Sequence, residues 1–218
     1  MCNKYCGTFF GAIGILLLSG AIYMGAFQYT EAYLTFAKPI TFVFKSYQVD
    51  YKNLGTIVKD TLAYLGSVAP LQGKKVGYMG FYYDNPNWVE EGSFPRSDIG
   101  FYSMVKLSPE IIEQLKKDNF NIALLPESKI LQVQFPWKNN FSMLFALMKA
   151  YTPIIERIHL DEYKYLWKGN GTPFIECIIG SWYYLSIPLE NIDKFWLTPM
   201  IRPPLTLEGK SYLENLNN

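Results

Sequence analysis

One acidic residue lies where an acid is least expected. Glu176 belongs to the segment Phe174-Ile175-Glu176-Cys177-Ile178-Ile179, whose apolar and β-branched residues predict a strand. A carboxylate buried in such a strand is costly unless it is paired or hydrogen-bonded, and burial raises its pKa. One interpretation is therefore the acid of a binding cleft that meets a cationic or polar ligand. The other is an acid on the solvent-facing side of an edge strand, because side-chain alternation alone does not settle burial.

Aromatic residues are the second group with the chemistry for binding. The chain contains 17 tyrosines and 5 tryptophans, and their rings suit a flat or cationic ligand. Packing in the core and at the cleft rim is the favoured explanation for most of these residues. We predict that a smaller set forms a ligand- or partner-binding site together with Glu176, namely Tyr83, Trp137, Trp182 and Tyr184. Asp84, by contrast, precedes an Asn-Pro pair, a context that favours a turn-forming residue over a catalytic one.

Composition argues against several classes of function. A single histidine, His159, and three cysteines leave no cluster with metal-ligand spacing, so we expect neither a metal nor another cofactor. The formal net charge is +1 with no concentration of basic residues, which predicts no nucleic-acid binding. The sequence also lacks the motifs of P-loop nucleotide binding, of dinucleotide binding and of the nucleophilic serine in hydrolases.

The spacing of apolar residues predicts an α+β domain built from a repeated unit. The order strand, helix, strand, strand occurs in about Thr41–Val105 and again in about Lys129–Ile187. The long helical region of the second unit, about Asn139–Tyr165, is predicted to be interrupted at Pro153. Little periodicity follows Leu189, and Pro203-Pro204 argues against a further packed element there.

An uncharged stretch precedes this domain. Gly7–Phe27 is about twenty residues long, enough to cross a bilayer as a helix, and no clear signal-peptide cleavage site follows it. We therefore predict one N-terminal transmembrane helix, with residues 1–38 as anchor and juxtamembrane segment, 39–200 as the domain and 201–218 as a short tail. Two lysines closely follow the stretch and one precedes it, which favours a cytosolic domain. A lumenal domain glycosylated at Asn170 is the competing possibility.

Short motifs give the domain a family resemblance. Tyr82-Tyr83-Asp84-Asn85-Pro86, after a glycine-punctuated strand, resembles the signature of GyrI-like domains, small α+β modules that bind effectors. Two further motifs resemble a eukaryotic branch, the membrane-anchored testis-expressed ER-phagy receptors. They are Phe135-Pro136-Trp137 and the Pro173-x-x-Glu176 that enters the final hairpin, which Tyr184-Leu185-Ser186-Ile187-Pro188 closes. The resemblance implies a duplicated strand–helix–strand–strand domain with an antiparallel sheet and helices on one face. It also implies that Glu176 matches the acid of a Glu-x-Tyr motif lining the ligand cleft, although Ile178 stands at the tyrosine position.

Together these expectations favour a membrane-anchored binding protein over an enzyme. The resemblance implies a single-pass adaptor of the endoplasmic reticulum or nuclear envelope, whose domain recruits an unidentified protein partner or a small apolar ligand to the lipid bilayer. The autophagosome-binding motif of the ER-phagy receptors is not reproduced, because Tyr212-Leu213-Glu214-Asn215 has asparagine at the aliphatic position. The alternative is a membrane-tethered hydrolase of a small hydrophobic substrate that uses Glu176 as acid/base.

Overall fold

The computed structural model describes residues 3–67, 76–84, 94–160 and 172–197 and, for residues 3–12, 51, 140 and 141, the backbone alone. Its helices are α1 (Asn3–Tyr23), α2 (Tyr51–Ser67), α3 (Pro109–Lys117) and α4 (Asn140–Ile158). Its strands are β1 (Tyr33–Ala37), β2 (Ile40–Gln48), β3 (Val76–Tyr82), β4 (Arg96–Ser103), β5 (Asn121–Leu125), β6 (Ser128–Pro136), β7 (Phe174–Ile179) and β8 (Trp182–Pro188). A short 3-10 helix, Ile192–Phe195, follows the last strand.

The strands join one antiparallel sheet in the order β1-β6-β8-β7-β3-β4-β2-β5. The elements β2, α2, β3 and β4 form one strand–helix–strand–strand unit, and β6, α4, β7 and β8 form the other. Each unit contributes three adjacent strands, and the two units meet where β3 pairs with β7. The predicted α+β fold with a duplicated unit is therefore confirmed.

Helices α2 and α4 lie on the same face of this sheet. Leu54 of α2 packs with apolar residues of β3 and β4, while Ala146 and Ala150 of α4 pack with β6 and β8. Phe174 and Ile178 of β7 contact both groups, so they mark the boundary between the two helices. We call this surface the helix face of the sheet.

Helix α4 runs through Pro153 without the predicted interruption. Proline has no N–H to donate to the carbonyl of Lys149, four residues earlier. The hydroxyl of Thr30, in the segment before β1, donates to that carbonyl at 2.7 Å. The predicted interruption is wrong because this external donor satisfies the free carbonyl. The structure ends α4 at Ile158, and residues 161–165 of the predicted helix lie outside the described residues.

Strand β1 lies within the segment that the sequence predicts to be juxtamembrane. Tyr33–Ala37 pairs with β6, and Ala32, just before it, is buried in the core under α4. The sheet therefore begins before residue 39. Within the part of the chain that the structure describes, no helix is both long and apolar enough to cross a membrane. The predicted transmembrane helix thus lacks support from the structure.

The face opposite the helices is covered over the first unit by the segment after β8. Phe195 is buried against Phe42 and Phe81, and Trp196 and Leu197 pack on the same cluster. The expectation of no packed element after Leu189 is therefore wrong. Three consecutive apolar residues, Phe195, Trp196 and Leu197, are enough to pack this segment on the sheet. Such a short element leaves no periodicity to detect.

Candidate ligand-binding site

Glu176 lies in the middle of the sheet, on the helix face. Its strand, β7, pairs with β3 on one side and with β8 on the other, where the residues opposite Glu176 are Gly80 and Leu185. Only 3% of the Glu176 surface is exposed. The edge-strand interpretation is therefore wrong, while the role of Glu176 as the acid of a binding cleft stays a prediction.

Tyrosine side chains from three elements surround this carboxylate. Tyr78 and Tyr82 project from β3, Tyr183 projects from β8, and Tyr151 reaches in from α4. The Tyr151 hydroxyl donates to Oε1 of Glu176 at 2.9 Å, and the hydroxyls of Tyr78 and Tyr82 lie 2.8 Å apart. The Tyr183 hydroxyl is buried next to Glu176 but falls short of full hydrogen-bond geometry. We refer to these four residues and Glu176 as the tyrosine cage.

Gly80 makes the cage possible. A Cβ atom at this position would lie 2.6 Å from the hydroxyl oxygen of Tyr78 and 3.1 Å from that of Tyr82. Because a glycine stands directly opposite Glu176, the two hydroxyls occupy the space that a side chain would otherwise fill.

The electrostatics of the cage follow from burial. Burial raises the pKa of Glu176, and the neighbouring hydroxyls of Tyr151, Tyr183 and Tyr82, which favour the charged carboxylate, oppose that rise. Burial also raises the pKa of Tyr78, Tyr82 and Tyr183, and the nearby Glu176 carboxylate raises each further. These tyrosines therefore stay neutral at physiological pH. The cage offers one carboxylate and several neutral hydroxyls against aromatic rings, a combination suited to a cation.

The other predicted site residues are not brought together with Glu176. Tyr83 and Tyr184 lie on the opposite face of the sheet, and strand alternation places Trp182 there too. Tyr83 donates to Asp98 at 2.6 Å. Trp137 is half-buried against the core under α4, on the helix face. The predicted set therefore does not form one cleft, and a binding role for its members outside the cage stays a prediction.

The cage tyrosines were missed in the sequence, although a signal was present. In Tyr78-Met79-Gly80-Phe81-Tyr82, the two tyrosines flank a glycine at a spacing of two, so both must share its face. A glycine between two large residues on one face of a strand indicates a close approach. No comparable local pattern marks Tyr151, which depends on how α4 is rotated over the sheet.

Asp84 has a structural role in the same region. Its carboxylate accepts hydrogen bonds from Nε and Nη2 of Arg96 at 2.9 and 3.0 Å and from the Arg96 backbone N–H at 3.0 Å. Both side chains are buried, and the guanidinium lies 5.0 Å from the centre of the Trp196 ring. This ion pair fixes the end of β3, which carries Tyr82, to the start of β4.

In the described ranges, no group of three or more His, Cys, Asp or Glu side chains lies close enough together to hold a metal ion.

No family model matches the chain, and no curated protein matches it. Among solved structures, it is similar to the EcmrR C-terminal domain, at 13% identity and a TM-score of 0.46, over 73% of this chain and 96% of that one. SAV2435 bound to tetraphenylphosphonium aligns at 14% identity and a TM-score of 0.47, over 75% and 96% of the two chains. A hydrolase encoded by lin2189 from Listeria innocua aligns at 10% identity and a TM-score of 0.44, over 72% and 91%. Similarities of this extent assign no family, so the resemblance to ER-phagy receptors stays a prediction.

Proposed function

We propose that the protein binds a small organic cation with an apolar body in the tyrosine cage. The observation that carries this proposal is the buried carboxylate of Glu176, with which no Lys, Arg or His in the described residues forms an ion pair. Buried carboxylates are normally paired with a cation, because hydroxyl donors offset only part of the desolvation cost. A bound cation would complete the site through charge attraction and through contact with the tyrosine rings.

Tyr151 is the cage residue best placed to make way for a ligand. It is half-buried, whereas Tyr78, Tyr82 and Tyr183 are at most 8% exposed. The centres of its ring and of the Phe174 ring lie 5.2 Å apart, and its hydroxyl donates to Glu176 at 2.9 Å. A cation that reaches the carboxylate replaces this hydrogen bond, so rotation of Tyr151 opens the site without disrupting the sheet.

The test is a calorimetric titration of the full chain with tetraphenylphosphonium, a cation with an apolar body. A charge about 5 Å from Glu176 at an effective dielectric of about 20 contributes about 3 kcal/mol, so Glu176→Gln should raise the Kd by roughly two orders of magnitude. Glu113→Gln is the matched control, because it makes the same carboxylate-to-carboxamide change at an exposed residue of α3 and should leave the Kd unchanged. Equal binding by the wild type and Glu176→Gln, or equal binding of neutral triphenylphosphine oxide, would refute the proposal.

A catalytic role for the same carboxylate is the second candidate. The raised pKa of Glu176 suits general acid/base chemistry on a small hydrophobic substrate. Hydrolysis of a simple ester such as p-nitrophenyl butyrate that disappears in Glu176→Gln but survives in Glu113→Gln would establish it. Absence of turnover in a protein that binds the cation would leave the binding function alone.

We further propose that the domain acts as an adaptor attached through α1 to the endoplasmic reticulum or nuclear envelope, facing the cytosol. Support comes from Ile15, Leu16, Leu17 and Leu18, four consecutive residues that are 68, 71, 69 and 53% exposed. Four consecutive helical residues cover a full turn, so this part of α1 has no polar side. A glycosylation-shift assay tests the orientation, because a glycan on Asn140 or Asn170 would place the domain in the lumen.

A further inference from the structure

The outer side of α4 is apolar along a single stripe. Leu144, Met148 and Ile155 are 59, 69 and 40% exposed, and their spacing of four and seven residues places them on one line along the helix. The charged residues Lys149 and Glu156 lie off that line. An outward helix face in water normally carries polar residues, so an exposed apolar stripe indicates a surface with a partner.

Tyr151 belongs to the same line, three residues after Met148 and four before Ile155. It is the half-buried member of the tyrosine cage, and its hydroxyl reaches Glu176 at 2.9 Å. Displacement of Tyr151 would therefore connect the carboxylate with the outside at the apolar stripe.

The segment that follows α1 is held against α4 next to this stripe. The Nζ of Lys149 donates to the carbonyl of Gln28 at 3.0 Å, and Thr30 donates to the carbonyl of Lys149 at 2.7 Å. Phe27 and Tyr29, on either side of Gln28, are 70 and 80% exposed. Exposed apolar surface thus continues from α1 through two aromatic side chains to the first half of α4.

A lipid surface fits this continuous patch better than a second copy of the chain. Residues 15–18 of α1 are apolar around a full turn, whereas a partner helix covers only one side of a helix. Lipid covers the whole circumference. Lys138, whose Nζ lies 5.9 Å from the Tyr23 ring, and Lys149 border the patch where a membrane-bound surface would meet anionic headgroups.

We infer that the α4 stripe of Leu144, Met148, Tyr151 and Ile155 rests on a lipid surface, and that the cage receives its ligand from that lipid. The ligand class is an amphiphilic organic cation that partitions into membranes. This inference rests on the proposed cation site and adds to it the source of the ligand and the route of entry.

The experiment uses the full chain with Cys2→Ser and Cys6→Ser, reconstituted in vesicles of phosphatidylcholine and phosphatidylserine. Met148→Cys carries an environment-sensitive NBD label, and Lys59→Cys, on the exposed side of α2, carries the same label as the control. Both native positions are exposed, so neither change should disturb folding. The label at 148 should shift to the blue, brighten several-fold and be quenched by spin-labelled lipid, while the label at 59 should respond to neither.

Entry from the lipid is tested with a charge on the stripe. Met148→Glu should abolish the lipid contact and slow tetraphenylphosphonium binding from vesicles several-fold, while its affinity in detergent micelles stays that of the wild type. Equal quenching of the labels at positions 148 and 59 would overturn the lipid contact. A blue shift of the label at 148 that needs no lipid and grows with protein concentration would also overturn it, because it would indicate contact with a second copy of the chain. Retained, Glu176-dependent binding in detergent would then show that the cage still binds cations. Loss of binding in detergent as well would refute the cation site itself.

Discussion

The buried ion pair between Asp84 and Arg96 gives the sharpest prediction about stability. The Asp84 side chain has no exposed surface, that of Arg96 is 3% exposed, and the pair shares two side-chain hydrogen bonds of 2.9 and 3.0 Å. Asp84→Asn keeps an oxygen that accepts from the Arg96 backbone N–H, but it turns an amide N–H₂ group toward the guanidinium. The change therefore leaves a buried positive charge without its counterion.

The magnitude follows from this geometry. Removing one partner of a buried ion pair costs about 3 to 5 kcal/mol. For a chain of this length, such a loss lowers Tm by roughly 6 to 20 °C and removes a large part of the usual stability of a domain. The assay is urea and thermal unfolding of the full chain, followed by circular dichroism.

Two comparisons make the prediction decisive. Asp118→Asn changes a partly exposed carboxylate that also accepts side-chain hydrogen bonds, from Tyr64 and Gln114, and it should cost far less. Adding Arg96→Met to Asp84→Asn removes the unpaired charge and should recover most of the lost stability. If Asp84→Asn costs no more than Asp118→Asn, or if the double variant is no better than the single one, the pair does not hold β3 to β4 as described.

Further changes test the cage and its supports. Because the proposed cation would bind the ionised form of Glu176, its affinity should be full at high pH and fall as pH drops through the raised pKa, at a higher pH than for an ordinary glutamate. Glu176 alone should make the fold less stable as pH rises from the ordinary to the raised pKa, because the folded state then binds more protons than the unfolded state. Tyr151→Phe removes a hydrogen bond that favours the carboxylate, so the midpoint of the pH profile of cation binding should move further upward. Gly80→Ala should weaken cation binding and lower Tm, because the new methyl group meets the Tyr78 hydroxyl at 2.6 Å; an unchanged Tm would show that the cage has room to spare. Thr30→Val leaves the carbonyl freed by the helix proline without its donor and should cost about 1 kcal/mol in urea unfolding.

Local pattern was enough to predict the elements of the two units but not their arrangement. Strand alternation on both sides of Gly180 marks the β7–β8 hairpin directly in the sequence. In the structure, Gly180 has a φ of +60°, which glycine adopts readily in a tight turn. The pairing of β3 with β7 joins residues nearly a hundred positions apart, and nothing in either strand specifies the partner. The pairing of β1 with β6 could not be predicted either, because a short strand next to an apolar helix has no periodicity that distinguishes it from a connecting loop.

Of the five residues of the tyrosine cage, only Glu176 was predicted from the sequence, and the reason is physical. Glu176 interrupts an apolar strand, and such an interruption is visible in the sequence alone. Tyr83 and Tyr184 were grouped with it because tyrosine suits either face of a sheet, and a one-residue difference in position reverses the face. Tyr82, immediately before Tyr83, is the residue that faces the carboxylate.

The position of the cage at the junction of the two units explains why two unfavourable residues face each other. Gly80 and Glu176 are directly paired in the central strands, where apolar residues on both sides would stabilise the sheet most. Glycine weakens a strand, and a buried acid raises the cost of folding. Each choice becomes favourable if a third group enters between them, since the glycine leaves room for the tyrosine hydroxyls and the acid supplies the charge. Local rules that fail together at one point of an otherwise consistent fold are expected where a ligand binds.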